Sequence, residues 1–262
     1  MWHASLYNAR RLERSRTAPN EQGMPMKNTR NIPTSERLIF ALDVPTLDDA
    51  RRLINQLGDS VQFYKLGLEL CMTGGYFDLV GELVGSGKKV FVDLKLYDIP
   101  ETVRRAIIRL REYGVTFTTV HSTNDEGLQA VAAEKGDLKI LVVTVLTSLS
   151  NNDLRAMGFD SDVSELVLSR AKRAFELGCD GVIASGLEAA SLREQIGPAI
   201  FIVTPGIRPA GNRPADDQKR VMTPADAFRA GADYIVVGRP IRDAADPRAA
   251  AVAIQQEIAA AF

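Results

Sequence analysis

Eight short apolar runs alternate with helical patterns along the chain, and this alternation is the feature that most constrains the fold. The runs are continuously apolar, as expected for parallel strands that are buried on both faces. They lie at Leu38–Asp43, Phe63–Glu69, Lys89–Leu96, Thr116–His121, Ile140–Thr147, Gly181–Ser185, Ile200–Pro205 and Tyr234–Gly238. Eight strands, each followed by a helix, predict a single α/β domain of the (β/α)8, or TIM, barrel type with parallel strands.

Helical patterns fill the intervals between these runs. Thr46 is placed to cap one helix, and Pro100 is placed in the first turn of another. The predicted helices are Leu47–Ile54, Pro100–Tyr113, Ser161–Leu177, Leu187–Ile196 and Pro247–Phe262. No Gly-x-Gly-x-x-Gly follows the first run, where an open dinucleotide-binding sheet would need it, so the closed barrel is favoured.

The first 35 residues differ in composition from the rest of the chain. They are rich in arginine and have little apolar periodicity, and they lack the apolar stretch of a secretory signal. We predict a disordered extension over residues 1–35 and a catalytic barrel domain over residues 36–262. A weak resemblance to a transit peptide, or a true start at Met24 or Met26, are alternative readings of the extension.

Charge and residue counts argue against several classes of function. The 262 residues include 32 basic and 33 acidic side chains, so the net charge of −1 gives no reason to expect a nucleic-acid or membrane partner. Cys71 and Cys179 have no metal-ligand spacing, and we expect reduced thiols in a cytoplasmic protein. No run of about 18 apolar residues predicts a membrane span. With His3 and His121 as its two histidines, the chain does not support a His-based metal site.

The third run carries two opposite charges within an apolar sequence. Period-two alternation puts Asp93 and Lys95 on one face, and Lys65 lies inside the preceding run. Buried charges cost several kcal/mol unless they are paired, so a functional cluster is favoured over packing. Asp98 either completes a Lys–Asp–Lys–Asp array or caps the helix that follows. An ammonium held between carboxylates keeps its proton and can donate it to a developing carbanion.

Two glycine–arginine segments follow the seventh and eighth runs, where barrels of this type commonly bind phosphate. Gly206 with Arg208, and Gly238 with Arg239, combine close backbone approach with guanidinium donors. Solvated arginines in ordinary turns are the alternative. The long segment 206–223 is predicted to close over the phosphate and exclude water.

The segment Asp93–Thr102 resembles the DxKxxDIPxT signature of the orotidine 5′-phosphate decarboxylase family. Further matches in the same order are Ala41-Leu42-Asp43, Lys65-Leu66-Gly67, Val145-Leu146-Thr147-Ser148, the segment Thr204–Pro209, Asp217-Gln218, Met222-Thr223-Pro224 and Gly238-Arg239-Pro240. The resemblance covers the chain from Arg37 onward and is strongest to bacterial members. Many of those have Gly-Gly where this chain has Asn124-Asp125.

The resemblance implies decarboxylation of orotidine 5′-monophosphate to uridine 5′-monophosphate, in pyrimidine biosynthesis and without a metal or organic cofactor. Lys95 would protonate C6 of the pyrimidine, beside Asp93 at the departing carboxylate. Lys65 would orient Asp93 and, like Asp43, contact the ribose. The other implied contacts are Asp98 and Thr102 on a neighbouring subunit's substrate in a homodimer, Thr147 and Ser148 near the pyrimidine, and Pro205, Arg208, Gln218, Gly238 and Arg239 around the phosphate.

Two other functions remain open at this point. A related barrel could act on sugar phosphates through Mg2+ and an enediolate, as hexulose-phosphate synthases do. A barrel could also bind a nucleotide without turning it over. The Ile99-Pro100-Glu101-Thr102 extension and the intact charged residues favour the decarboxylase.

Overall fold

Eight parallel strands close into a barrel in which each strand pairs with the next along the chain and the last pairs with the first. The computed structural model describes residues 31–122, 124–209 and 222–262. The strands are β1 Leu38–Ala41, β2 Phe63–Leu66, β3 Lys89–Leu96, β4 Phe117–His121, β5 Lys139–Val143, β6 Gly181–Ile183, β7 Phe201–Thr204 and β8 Tyr234–Val237. The predicted (β/α)8 barrel is confirmed.

Helices surround the barrel and cover its outer face. They are α1 Leu47–Leu57, α2 Leu68–Cys71, α3 Tyr76–Gly85, α4 Pro100–Glu112, α5 Asp125–Glu134, α6 Asn151–Ala156, α7 Val163–Glu176, α8 Gly186–Ile196, α9 Pro224–Arg229, α10 Arg239–Arg242 and α11 Pro247–Ala259. Thr46 caps α1, and Pro100 occupies the first turn of α4, as predicted. Asn124 caps α5 by accepting the Gly127 backbone N–H. Within the described ranges, no helix is long and apolar enough to cross a bilayer.

Several strands end earlier than the apolar pattern predicts. β1 ends at Ala41 rather than Asp43, and β5 ends at Val143 rather than Thr147. The predicted second strand is wrong beyond Leu66, because α2 begins at Leu68. Val145 lies past the end of β5 and is still buried. Apolar character therefore reports burial, which continues into the loops after backbone pairing has stopped.

The inside of the barrel is filled by aromatic rings. Phe63, Phe91, Phe117 and Tyr234 belong to an interior cluster that is separate from the core between strands and helices. The ring of Phe117 lies 5.1 Å from that of Phe63, 6.0 Å from that of Phe91 and 5.1 Å from that of Tyr234, measured between centroids. These rings block the barrel axis and form a rigid apolar floor beneath its carboxyl-terminal mouth.

Buried polar contacts hold elements together around the β6–β8 side of the barrel. Arg193 of α8 donates to Asp233 at 2.8 Å, and both side chains are almost fully buried. Arg37 donates to the Asp233 carbonyl at 3.1 Å. Ile32, which lies in the predicted extension, packs against the interior cluster. The chain therefore contacts the barrel before the first strand begins.

Candidate active site

A polar layer lies directly above the aromatic floor on three neighbouring strands. Each strand has an inward-facing phenylalanine followed two residues later by a polar side chain, since alternate residues share a face. The pairs are Phe63 with Lys65 on β2, Phe91 with Asp93 on β3 and Phe117 with Thr119 on β4. The strands thereby bring Lys65, Asp93 and Thr119 to one level of the barrel mouth.

Four charged side chains form a continuous alternating chain at this level. Lys65 Nζ lies 2.9 Å from Asp43 Oδ1 and 3.6 Å from Asp93 Oδ2. Lys95 Nζ lies 2.9 Å from each oxygen of Asp93. The order is therefore Asp43–Lys65–Asp93–Lys95. The predicted approach of Lys65, Asp93 and Lys95 is observed, and Asp43 is the fourth member.

Burial and charge oppose each other at the centre of this chain. Burial alone would raise the pKa of Asp93, but Lys65 and Lys95 outweigh it and hold the pKa of Asp93 below its ordinary value. Burial would likewise lower the pKa of Lys65, yet Asp93 and Asp43 raise it above its ordinary value. Asp93 is thus a carboxylate and Lys65 an ammonium at neutral pH, despite being only 8% and 9% exposed.

Gly67 makes room for the ion pair between Lys65 and Asp43. A Cβ atom at this position would lie 3.2 Å from Lys65 Nζ and 3.3 Å from Asp43 Oδ1. Those distances are shorter than ordinary carbon contacts, so a side chain here would displace one of the two charges. The glycine of the Lys65-Leu66-Gly67 sequence therefore has a steric reason.

The backbone at Lys95 is strained. Lys95 has φ 49°, the one positive φ at a non-glycine residue in the described part of the chain. This left-handed conformation costs roughly 1–2 kcal/mol for a residue with a Cβ. The strain coincides with a bulge, because the β3–β4 register shifts between Val92 and Leu96. Leu94 and Leu96 pack toward the helices, as period-two alternation requires, but simple alternation does not describe how Lys95 reaches Asp93.

Asp98 does not join the charged chain within one subunit. It is exposed, and its Oδ1 accepts the Ile99 backbone N–H at 2.6 Å, beside the first turn of α4. Among the described residues no ion pair links Asp98 to Lys95, so the Lys–Asp–Lys–Asp array does not form within a single chain, and a role of Asp98 in a neighbouring subunit's site stays a prediction. The strand ends at Leu96, so Asp98 lies in the turn before α4. Thr102, on the first turns of α4, is also exposed.

A cavity of about 340 Å³ adjoins Asp43 and Lys65 and is rimmed by three arginines. Its lining includes Pro205, Gly206, Arg208, Gly238, Arg239 and Arg242. The predicted phosphate residues from the loops after β7 and β8 therefore come together, next to the charged chain. Guanidinium groups are suited to binding anions such as phosphate.

In the loop after β7, backbone hydrogen bonds join the described residues on the two sides of positions 210–221. Arg208 N–H donates to the Met222 carbonyl at 2.9 Å, and Met222 N–H donates to the Gly206 carbonyl at 3.3 Å. Gln218, and most of the segment predicted to close over the phosphate, lie outside the described residues. Arg208 is 5% exposed, so its side chain is already enclosed by the protein.

The remaining predicted contacts lie in loops or beside the mouth. Thr147 is half-buried and Ser148 exposed, both in a turn four to five residues past the end of β5. His121, the last residue of β4, packs its ring against Tyr97 at 5.5 Å between centroids. Burial, together with Lys95 and Arg170, lowers the pKa of His121 from 6.5, so its imidazole is neutral at neutral pH.

Two residues at the site were absent from the sequence prediction. Thr119 donates to Asp93 Oδ1 at 2.8 Å, and Arg242 donates to the Asp43 carbonyl at 2.7 Å. The repeated spacing of a phenylalanine and a polar residue on β2, β3 and β4 is a signal that could have revealed Thr119. Arg242 lies at the end of α10, three residues after Arg239 and beyond the glycine–arginine segment that the sequence analysis considered.

Metal-ligating residues do not cluster in the described ranges: no group of three or more His, Cys, Asp or Glu side chains is placed to hold an ion. The two carboxylates of the site, Asp43 and Asp93, each contact a lysine.

A closed (β/α)8 barrel with paired charges at its mouth and arginines in the last two loops defines a barrel enzyme for phosphorylated substrates. A family model described as "Orotidine 5'-phosphate decarboxylase / HUMPS family" matches residues 36–254. The chain therefore belongs to that family.

Named relatives agree with this family. Orotidine 5′-phosphate decarboxylase of Methylococcus capsulatus is 59% identical over 231 residues, covering 88% of this chain and 95% of that protein. The enzyme of the same name from Xanthomonas oryzae is 55% identical, covering 86% and 93%. The crystal structure of orotidine 5′-phosphate decarboxylase from Lactobacillus acidophilus has a TM-score of 0.76 and 39% identity, covering 85% of this chain and 99% of that one.

Replacing Lys65 by methionine tests the electrostatic balance at Asp93. Without the ammonium, burial outweighs the remaining charge of Lys95, so we expect the pKa of Asp93 to rise above about 4. Carboxyl 13C NMR titration measures it. Lys89→Met is the control, because Lys89 pairs with Glu36 at the start of β3 and not with Asp93. An unchanged Asp93 titration in a folded Lys65→Met protein would contradict this account.

Proposed function

We propose that this protein catalyses the decarboxylation of orotidine 5′-monophosphate to uridine 5′-monophosphate and CO2, in pyrimidine biosynthesis. The observation that carries this proposal is the adjacency of the Asp43–Lys65–Asp93–Lys95 chain to the arginine-lined cavity. The site thus has an anion-binding end and a proton-donating end. The relatives compared above bear the name of this enzyme along nearly their whole length.

The substrate's phosphate occupies the cavity between the loops after β7 and β8. Arg208 and Arg239 bind its oxygens, Pro205 and Gly238 shape the backbone around it, and Gln218 contributes from the intervening segment. Asp43 and Lys65 line the same cavity, so the ribose hydroxyls lie against them. The pyrimidine then points toward Asp93 and Lys95, with Thr147 and Ser148 beside it.

The chemistry depends on a difference between the bound substrate and the transition state. Asp93 is held ionised and in place, so it repels the substrate carboxylate, and that repulsion disappears as CO2 leaves. The carbon–carbon bond breaks with its electrons left on C6. Lys95 donates a proton from Nζ to C6, which forms the C–H bond of the product. No oxidant or reductant is needed for this step.

A sugar-phosphate barrel that uses Mg2+ is the second candidate within enzymes, and the family description pairs the decarboxylase with HUMPS. The donor set favours the decarboxylase, because Asp43 and Asp93 are neutralised by lysines that would compete with a divalent cation. A nucleotide-binding barrel without turnover is the non-enzymatic alternative. Nucleotide binding alone does not explain why a strained Lys95 lies beside a buried carboxylate.

The active unit is a homodimer with shared sites. Asp98 and Thr102 lie exposed at the start of α4. The family resemblance implies that they contact the ribose of the substrate that is bound to a neighbouring subunit. Two large apolar side chains next to Asp98 in the sequence are exposed as well: Tyr97 by 74% and Ile99 by 66%. Clustered exposed apolar residues of this size are typical of interfaces.

We place the catalytic domain at residues 36–262, with residues 1–35 as an extension that does not take part in the chemistry. The partner is a small nucleotide, and the compartment we propose is the cytoplasm. Cys71 and Cys179 are free thiols, and burial raises the pKa of Cys179 to about 12, which leaves it unreactive.

Turnover in the presence of EDTA tests the reaction. The purified protein should convert orotidine 5′-monophosphate rapidly without added metal, seen as the loss of orotate absorbance. Activity that EDTA abolishes and Mg2+ restores would support the sugar-phosphate class. Tight binding of uridine 5′-monophosphate with no CO2 release would support the non-enzymatic alternative.

Replacing Lys95 by alanine tests the proton donor. Removing a positioned general acid should lower kcat by at least about 1,000-fold, while circular dichroism shows that the fold is largely preserved. Lys89→Ala is the matched control, since it removes an ammonium from the same strand, away from the mouth. Near-normal turnover by Lys95→Ala would refute the assignment.

Mixing two inactive variants tests the shared site. Lys95→Ala and Asp98→Ala subunits, after dissociation and reassociation, should regain about a quarter of wild-type activity, because half of the dimers are mixed and each contains one intact site. Mixing Lys95→Ala with Asp93→Ala is the control, since these residues belong to the same subunit's site. No recovery in verified mixed dimers would show that Asp98 acts within its own chain.

A further inference from the structure

Thr119, which no part of the sequence prediction identified, contacts both residues at the reacting end of the site. Its hydroxyl donates to Asp93 Oδ1 at 2.8 Å and accepts the backbone N–H of Lys95 at 2.9 Å. The side chain is 0% exposed. A threonine hydroxyl has one hydrogen, and here that hydrogen points to the Asp93 carboxylate while a lone pair takes the Lys95 N–H.

The strand register explains why Lys95 needs this contact. β3 and β4 are paired at Val92↔Thr118 and again at Leu96↔Val120. Between those pairs β3 has the three residues 93–95, whereas β4 has the single residue Thr119. Regular strand pairing does not supply a backbone acceptor on β4 for each of the extra residues of β3. The Thr119 hydroxyl therefore replaces a backbone carbonyl as the acceptor for the Lys95 N–H.

The contact also fixes the strained conformation that aims the lysine. Lys95 has φ 49°, which a residue with a side chain leaves readily unless neighbouring groups hold it. The Thr119 hydroxyl accepts the Lys95 backbone N–H, while the Asp93 carboxylate accepts hydrogen bonds from both the Thr119 hydroxyl and the Lys95 ammonium. One side chain thereby sets the carboxylate and the backbone of the lysine relative to each other.

We propose that Thr119 is a positioning residue of the active site, whose hydroxyl holds the Asp93 carboxylate and the Lys95 backbone in the arrangement that proton transfer requires. This inference rests on the proposed function, since it assigns Thr119 to the same step. Thr119 acts through Asp93 and Lys95 and has no role in holding the phosphate. Its loss therefore affects kcat and leaves KM nearly unchanged.

Neighbouring Thr118 supplies a matched control. It is also on β4, is also 0% exposed, and donates its hydroxyl to the Val92 carbonyl at 3.0 Å. Its side chain lies on the opposite face of the strand, toward the helices. Thr118→Val removes the same atom from the same strand with a comparable cost in stability, but it leaves both contacts of Thr119 in place.

The experiment compares Thr119→Val, Thr119→Ser and Thr118→Val by kcat, KM and melting temperature. We expect Thr119→Val to lower kcat roughly 10- to 100-fold with KM within about threefold of wild type, because small displacements of catalytic groups have effects of this size. Thr119→Ser restores the hydroxyl and should stay within about threefold of wild type. Thr118→Val should lower the melting temperature similarly and leave kcat within about threefold.

Three results would overturn the assignment: wild-type kcat in Thr119→Val, an equal loss of kcat in Thr118→Val, or no rescue by serine. If Thr119→Val does not fold, Thr119→Ala and Thr119→Ser give the same comparison, because they differ by the hydroxyl oxygen alone. Failure of the proposed function is a separate result, in which the wild-type protein itself shows no turnover.

Discussion

The structure of the site depends on one constraint, which is that Asp93 must remain ionised while buried inside a barrel. Removing a carboxylate from water costs several kcal/mol even after the protein relaxes. Lys65, Lys95 and Thr119 offset that cost by ion pairs and hydrogen bonds, and they come from β2, β3 and β4. Because adjacent residues of a strand face opposite sides, a shift of one residue in any of these strands would turn its polar group toward the helices. The order and register of the strands are therefore conditions for the chemistry.

The aromatic floor is the second part of this arrangement. Phe63, Phe91 and Phe117 fill the barrel axis below the polar layer, so Lys65, Asp93 and Thr119 rest on packed rings instead of water. Close packing limits how far the polar groups can relax, and a low local polarity strengthens the interactions between them. The arginine cavity lies to one side of this layer and shares Asp43 and Lys65 with it. Binding energy gained at the phosphate can thus be used to hold the pyrimidine against Asp93.

The sequence predicted the barrel and most of the site because those features follow from simple periodicity. Apolar runs located all eight strands, charges inside those runs identified Lys65, Asp93 and Lys95, and the glycine–arginine segments after the last two runs identified Arg208 and Arg239. What it could not predict depends on local departures from period two. The bulge at residues 93–95, the end of β5 at Val143 and the short helix α2 have no counterpart in an apolar pattern. Asp98 shows another limit, because it is out of phase with Asp93 and Lys95 and lies beyond the end of β3 at Leu96, so period two could not decide between the array and a helix cap.

The strain at Lys95 indicates how stability and chemistry are balanced here. Glycine would adopt φ 49° without strain, but it would lack the ammonium that lies 2.9 Å from both oxygens of Asp93. A regular β3 would relieve the strain as well, yet it would pair the Lys95 N–H with β4 and remove the bulge that brings the lysine back over Asp93. The chain therefore retains a local cost of roughly 1–2 kcal/mol at the residue that is to move a proton. Strain of this kind persists only where neighbouring contacts enforce it, and the buried hydroxyl of Thr119 is such a contact.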